Sequence, residues 1–154
     1  MSATAGASRV AARKLRGFTL VELMVTVAIV GILASIAYPS YQQSVMHGRR
    51  TDAIQTITYY RQALERCYSQ NFTYVNAGAT PCPAAPGAAV ASTNGYYNIT
   101  FPTLAATQYT IQAVPVGPQV NDLQCQVMTV NQSGQTGATN SVGANTTVAC
   151  WGTN

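Results

Sequence analysis

Two groups of residues in this 154-residue sequence have the types and spacing to do chemistry: a carboxylate, Glu22, inside an apolar run, and a set of four cysteines. A lone carboxylate at the centre of a bilayer costs about 2.5 to 3.5 kcal/mol even on the gentlest insertion scales, so Glu22 calls for an explanation. The local explanation is a helix cap, because Thr19 and Glu22 fit the Ser/Thr-x-x-Glu capping box that closes a helix N-terminus.

The other titratable residues do not favour catalysis. One histidine, His47, and four carboxylates are spread over the chain, which leaves no nucleophile with its base and no metal cluster. A phosphate-binding glycine loop is also missing. We therefore predict that the protein is not an enzyme and carries no cofactor or metal.

The four cysteines predict disulfides. They contain no Cys-x-x-Cys pair, and a zinc site would need close pairs and more histidine. Two disulfides in an oxidising compartment are expected, with free buried thiols as the alternative. Three pairings are possible, and we prefer the two that close short loops: Cys67 with Cys82, and Cys125 with Cys150.

Charge is scarce and unevenly placed. Charged residues make up 8% of the chain, against about 25% in ordinary globular proteins. Four of the eight basic residues precede Gly17, and four arginines balance four acids beyond it. No Lys or Arg lies between 67 and 154, so nucleic acid is an unlikely partner, because phosphate binding needs clustered cations. We expect Arg49 and Arg50 to be solvated or to face lipid head groups.

Residues 18–38 form an apolar run of 21 residues, which as a helix spans about 30 Å and can cross a membrane. Basic residues immediately upstream predict a cytoplasmic N-terminus. The alternative is an ordinary secretory signal, which would be cleaved after the apolar run.

Beyond the apolar run, helical spacing continues to about residue 68. A stripe of five residues should face a partner layer, with the arginine as its polar exception: Ile54, Ile57, Arg61, Leu64 and Tyr68. A proline within the helix should kink it. Four alternating segments, which begin at Tyr96, Gln108, Leu123 and Thr146, predict antiparallel strands. The expected fold is α+β, with a long N-terminal hydrophobic helix packed on a small antiparallel β-sheet and two disulfides.

The stretch "RGFTLVELMVTVAIVGILASIAYPSYQ" resembles the class III signal and N-terminal helix of type IV pilins, in which Gly followed by Phe-Thr-Leu-x-Glu is highly specific. The segments "ERCYSQNFTY" and "MTVNQSGQTG" and the terminal "CW" resemble the PilE-like branch of that family. The resemblance implies that a prepilin peptidase cuts between Gly17 and Phe18 and methylates the new amine of Phe18. It also implies that Glu22 pairs with the N-terminal amine of a neighbouring subunit, with Thr19 as its possible cap. Between Gly31 and Pro39 the helix either kinks or loses its structure in the filament.

On this resemblance the chain has five parts. They are a leader (1–17), a transmembrane and filament-core half-helix (18–39), an amphipathic half-helix (40–70), an αβ-loop (71–95) and a β-sheet with a C-terminal disulfide loop (96–154).

The implied function is that of a structural subunit of a type IV pilus, which serves pilus biogenesis, adhesion or twitching motility. The leader of 17 residues favours a minor pilin over a major one. Before assembly the chain would cross the inner membrane once, and it would then join the pilus across the periplasm and outside the cell. Its partners would be other pilins, the prepilin peptidase and the assembly machinery. A type II secretion pseudopilin and a DNA-uptake minor pilin are the alternatives, although four cysteines and few acids argue against the pseudopilin.

Overall fold

The structure, a computed structural model, describes residues 17–75, 82 and 89–152. Of the predicted leader it describes only Gly17, and much of the predicted αβ-loop lies outside the described residues. The chain divides into two compact units, of which the first ends at Pro39 and the second begins at Ser40. Helix α1, Leu20–Asn71, contributes residues to both units.

In the first unit, helix α1 starts at a threonine cap. The Glu22 backbone N–H donates to Thr19 Oγ1 at 3.2 Å, which satisfies one of the orphan donors of the first turn. Within the apolar segment, the hydroxyls of Thr26 and Ser35 donate to backbone carbonyls three residues upstream. Its large apolar side chains are exposed, and the helix is long and apolar enough to cross a membrane by length and composition.

The second unit contains an antiparallel meander. Five strands lie in the sheet in chain order: β1 Val90–Ala91, β2 Tyr97–Leu104, β3 Tyr109–Pro115, β4 Val127–Asn131 and β5 Thr136–Thr139. A 3₁₀ helix, Gly117–Asn121, connects β3 to β4, and a short helix α2, Thr147–Trp151, follows β5. The expected α+β architecture with an antiparallel sheet is therefore confirmed.

The core lies between helix α1 and one face of the sheet. In strand β3 the alternating residues Tyr109, Ile111 and Ala113 are fully buried, as the two-residue period of a strand requires. Opposite them, helix α1 contributes buried residues of the predicted stripe, Ile57 and Leu64. Partly buried Ile54 and Tyr68 pack against the same cluster, and Arg61 is exposed as the polar exception.

The prediction of a strand from Thr146 is wrong, because this segment forms helix α2. The side chain of Asn145 accepts hydrogen bonds from the backbone and hydroxyl of Thr147, at 2.9 and 2.8 Å, and this turns the chain out of the sheet. Gly152, with φ of 67°, ends the helix in the left-handed conformation. A five-residue helix is too short for its periodicity to be distinguished from strand alternation.

Two further differences concern strand limits. The strand expected from Leu123 begins only at Val127, because the preceding residues form a turn in which the Cys125 N–H donates to the Asp122 carbonyl. Strand β5 was not predicted, since "TGAT" lacks the alternation of large apolar residues that marks a half-buried strand.

Both disulfides occur in the pairing that short loops favour. Cys67 pairs with Cys82 and Cys125 with Cys150, with Cα–Cα distances of 5.5 and 5.7 Å. The second bridge ties the turn before β4 to helix α2. Closing loops of this size stabilises a fold by about 3 kcal/mol in the chain-entropy model.

Alkaline pH should destabilise the second unit because of its buried tyrosines. Burial raises the pKa of Tyr97 to about 12, and burial, followed by the nearby Glu65, raises the pKa of Tyr109 and of Tyr74. These folded-state pKa values exceed the unfolded value near 10, so the stabilisation is complete below pH 10 and is lost as pH rises towards 12. We expect the free energy of unfolding to fall by about 1.4 kcal/mol per pH unit for each proton released.

Denaturant titrations followed by circular dichroism between pH 8 and 12 measure this fall. In Tyr97→Phe the free energy of unfolding should fall less steeply with pH, because one fewer tyrosine releases a proton on unfolding. An identical pH dependence in this variant would contradict the contribution assigned to Tyr97.

Candidate assembly site

The described residues before helix α1 are exposed to solvent. Gly17 and Phe18 are both exposed, and a Cβ added to Gly17 would meet no atom within 4 Å. Packing within the described chain therefore does not require glycine at position 17. A requirement for glycine at this position would have to come from something that acts on the chain, such as a protease with a narrow site.

Glu22 is exposed, and its carboxylate has no hydrogen-bond or ion-pair partner among the described residues. The Thr19 half of the capping box is formed, since Thr19 Oγ1 accepts the N–H of Glu22. The Glu22 carboxylate does not form the other half, because it accepts no hydrogen bond from the described residues. Its carboxylate is therefore available to a cationic group from outside the chain.

Helix α1 is continuous at Gly31, Pro39 and Gly48, the three residues that could break it. Proline lacks a backbone donor, and glycine lowers helix propensity by about 1 kcal/mol relative to alanine. In the structure the segment from Gly31 to Pro39 is helical and exposed. Loss of helical structure between Gly31 and Pro39 in the filament stays a prediction.

The guanidinium of Arg50 donates four hydrogen bonds within the second unit. The expectation that Arg50 is solvated or faces lipid is therefore wrong. Its side chain is buried, with Nε 2.7 Å from Asp122 Oδ2 and Nη2 2.8 Å from Asp122 Oδ1. The guanidinium also donates to the Ala149 carbonyl and to Gln124 Oε1, each at 3.0 Å. Composition could not reveal this contact, because Asp122 lies 72 residues away along the chain.

Gln119 extends the contact to the sheet. It is fully buried in the 3₁₀ helix, and its Nε2 lies 3.0 to 3.1 Å from Asp122 Oδ2, Tyr97 Oη and the Met46 carbonyl. Helix α1, strand β2 and the connection to β4 are thereby held together. We call Arg50, Asp122 and Gln119 the arginine clamp.

The other two acids of the second unit are also held internally. Asp52 is buried and accepts from Ser92 Oγ at 2.5 Å and from the backbone and side chain of Asn94 at 3.1 Å. Glu65 accepts from the hydroxyls of Tyr109, at 2.9 Å, and Tyr74, at 3.3 Å. In the sequence these acids only balance the arginines in number, whereas in the fold they act as hydrogen-bond acceptors.

Three arginines of the second unit remain outside the clamp. The Arg49 guanidinium lies 4.6 Å from the ring centroid of Tyr96, within the range of a cation–π contact. Arg61 and Arg66 are exposed and line a groove of about 480 Å³ together with Thr58, Gln62 and Glu65. We call this the arginine groove.

Breaking the arginine clamp should strongly destabilise the second unit. Arg50→Ala leaves the carboxylate of Asp122 buried without its counter-ion, and we expect a loss of about 3 to 5 kcal/mol in the free energy of unfolding. The matched control, Arg49→Ala, removes only a cation–π contact and should cost about 1 kcal/mol or less. Urea denaturation of the two variants measures the difference, and equal losses would show that the clamp adds no stability.

Two family models match the chain. Residues 39–129 match the model described as type IV minor pilin ComP, DNA uptake sequence receptor. Residues 12–38 match the prokaryotic N-terminal methylation motif. The second match covers the Gly17–Phe18 junction and Glu22.

Similar curated proteins include two described as fimbrial and one described as prepilin peptidase-dependent. A probable minor fimbrial protein of Dichelobacter nodosus is 42% identical over 81 residues, which is 52% of this chain and 51% of that protein. Prepilin peptidase-dependent protein D of Escherichia coli (strain K12) is 48% identical over 54 residues, 35% of this chain and 37% of that protein. Fimbrial protein EcpC of Eikenella corrodens is 35% identical over 99 residues, 64% of this chain and 61% of that protein. The chain thus spans about half the length of the first of these relatives.

Among solved structures, the non-core minor pilin PilV of Neisseria meningitidis is 26% identical and aligns over 63% of this chain and 89% of that one, with a TM-score of 0.47. That score is too low to support an argument from the structural likeness, and the family assignment depends on the sequence match alone. Because one family model spans more than half of the chain, this protein belongs to the family of type IV minor pilins described as ComP, DNA uptake sequence receptor.

Proposed function

We propose that this protein is a structural subunit of a type IV pilus, present as a minor pilin, and that it joins the filament through the N-terminal half of helix α1. The observation that carries the proposal is the exposed Glu22 carboxylate, without a partner among the described residues and four residues beyond Phe18. The N-terminal methylation motif and the fimbrial relatives support it. A structural role, and not catalysis, is the function we assign.

Processing at the Gly17–Phe18 junction is the first step that we propose. A prepilin peptidase cuts after Gly17, whose lack of a side chain lets an extended backbone enter a narrow site. Cutting before the apolar run keeps the membrane anchor, which an ordinary signal peptidase would remove. The cut also removes four basic residues and leaves a single amine on Phe18, which the same enzyme methylates.

Assembly then depends on charge. In the membrane, or in an apolar filament core, an unpaired carboxylate is costly, and an opposite charge at hydrogen-bond distance offsets that cost. The amine of Phe18 on a neighbouring subunit is the cation that processing creates at this end of the chain. A subunit that slips along the filament would leave Glu22 buried without a partner, so the pair specifies the register.

Before assembly we place the chain in the inner membrane, crossed once, with its N-terminus in the cytoplasm. Other pilin subunits, the prepilin peptidase and the inner-membrane assembly machinery are the partners that this pathway requires. A type II secretion pseudopilin would share the N-terminal segment, but the family match over residues 39–129 is to minor pilins.

Glu22→Gln should be processed but should fail to enter pili. The amide keeps the shape of the side chain and removes the charge, so we expect the amount of this protein in sheared pili to fall at least tenfold. Mass spectrometry should still find a mature chain that begins at methylated Phe18 in the membrane fraction. The control is Thr26→Val, which removes a hydroxyl that bonds only to the backbone of its own helix. Normal incorporation of Glu22→Gln would refute the pairing.

Double-stranded DNA is a second candidate ligand, because the matched family model is described as a DNA uptake sequence receptor. After processing, four arginines are the only Lys or Arg residues left, and Arg50 is buried in the clamp. Three cations can therefore contact phosphate: Arg49, Arg61 and Arg66. Because each neutralised phosphate contributes about −0.9 to the slope of log K against log salt, we expect a slope no steeper than about −3.

Gel-shift titrations of the detergent-solubilised mature chain at 50 to 200 mM salt measure this slope. Arg61→Gln should lower its magnitude by about one unit if this residue contacts phosphate. Failure to bind at the lowest salt would remove the DNA candidate, and a slope much steeper than −3 would show that other groups take part.

A further inference from the structure

The second unit presents an unbalanced set of charges to its surroundings. Beyond Pro39 the sequence contains three acids, and each carboxylate accepts hydrogen bonds within the fold: Asp52, Glu65 and Asp122. Asp52 and Asp122 are 4% and 3% exposed, so they cannot meet a group on another protein. Glu65 is half-buried beneath the hydroxyls of two tyrosines.

The fully exposed charges among the described residues of the second unit are cationic, and the carboxylate that shares the groove with them, Glu65, is half-buried. Among the described residues the one salt bridge is the pair of Arg50 and Asp122, so Arg61 and Arg66 have no carboxylate within ion-pair distance. The guanidinium of Arg61 lies beside Gly134, since a Cβ added to this glycine would come 3.0 Å from Arg61 Nη2. Glycine at the β4–β5 turn thus leaves room for this guanidinium.

Among the described residues, two copies of the second unit therefore offer each other three accessible arginines and one half-buried carboxylate, that of Glu65. Complementary potentials steer association, and like charges across an interface oppose it. We infer that the arginine groove docks against exposed carboxylates of a different pilin subunit, and not against a second copy of this chain. This inference rests on the proposed pilus function and names the partner of the subunit.

The geometry of the groove suits carboxylates on a protein. Arg61 and Arg66 are five residues apart on helix α1, a rise of about 7.5 Å, and each guanidinium can hold one carboxylate in a two-pronged contact. Thr58 and Gln62 supply the uncharged polar rim that protein interfaces have. DNA is less well matched, since Arg49 lies apart from the groove on Tyr96 and no Lys or Arg follows Arg66 in the sheet or the C-terminal loop.

Photocrosslinking from Gln62 tests the inference in the full-length protein, expressed in a host that assembles pili. Gln62 is exposed and lines the groove, so a photoreactive residue there reports what covers it. We expect an adduct with a different pilin, and mass spectrometry should place Asp or Glu beside the crosslinked position. The same probe at Gln108, exposed in the β2–β3 turn, is the control for adducts that do not depend on the groove.

Charge variants supply the second measurement. Arg61→Glu with Arg66→Glu should reduce the Gln62 adduct about three- to tenfold, as expected for two exposed ion pairs, whereas Arg61→Lys with Arg66→Lys should retain most of it. An adduct with a second copy of this chain, an adduct with DNA alone, or the absence of any adduct would overturn the inference. Absence of the protein from purified pili would instead refute the proposed function.

Discussion

The buried ion pair of Arg50 and Asp122 is the interaction on which the second unit depends. Neither partner could be buried alone, because an uncompensated charge in a low-dielectric interior is unfavourable by several kcal/mol. The pair brings helix α1 against the connection between β3 and β4, and the guanidinium reaches on to helix α2 through the Ala149 carbonyl. A buried amide, Gln119, joins the same network to the sheet. Helix α1, the sheet and the C-terminal disulfide loop are thus connected through one buried ion pair and its hydrogen bonds.

This use of charge has a consequence for the surface. The second unit uses all three of its acidic side chains as internal acceptors, and the accessible charge of its described residues comes mainly from three arginines. The formal balance of four arginines against four acids beyond Gly17 is correct as a sum. It is misleading as a description of the surface, because burial removes two acids, Asp52 and Asp122, but only one arginine, Arg50.

The carboxylates of the two units differ in their hydrogen bonding. In the second unit, Asp52, Glu65 and Asp122 are each bonded within the chain. In the first unit Glu22 is exposed, and only its backbone is bonded, to Thr19. This carboxylate, which has no partner among the described residues, is where we propose a contact between subunits. The same contrast explains why we assign assembly to the first unit and partner choice to the second.

Much of the fold could be predicted, because it depends on patterns within short segments. The stripe that contains Ile57 and Leu64 predicted the buried face of helix α1, and alternation predicted strands β2 and β3 to within one or two residues at their starts. Helix α2 and strand β5 could not be found in this way. The first is held by the turn at Asn145 and the second by pairing with β4, and neither carries a periodic signal of its own.

By itself the sequence determined the apolar run of residues 18–38, the position of Glu22 within it, and a helix followed by an antiparallel sheet. These are local properties, set by composition and spacing along one stretch of chain. Only the tertiary structure decided that Arg50 is buried while Arg61 is not, since burial depends on Asp122, which is remote in sequence and close in space. Which charges reach solvent is a property of the packed fold, because packing determines which carboxylates are already bonded.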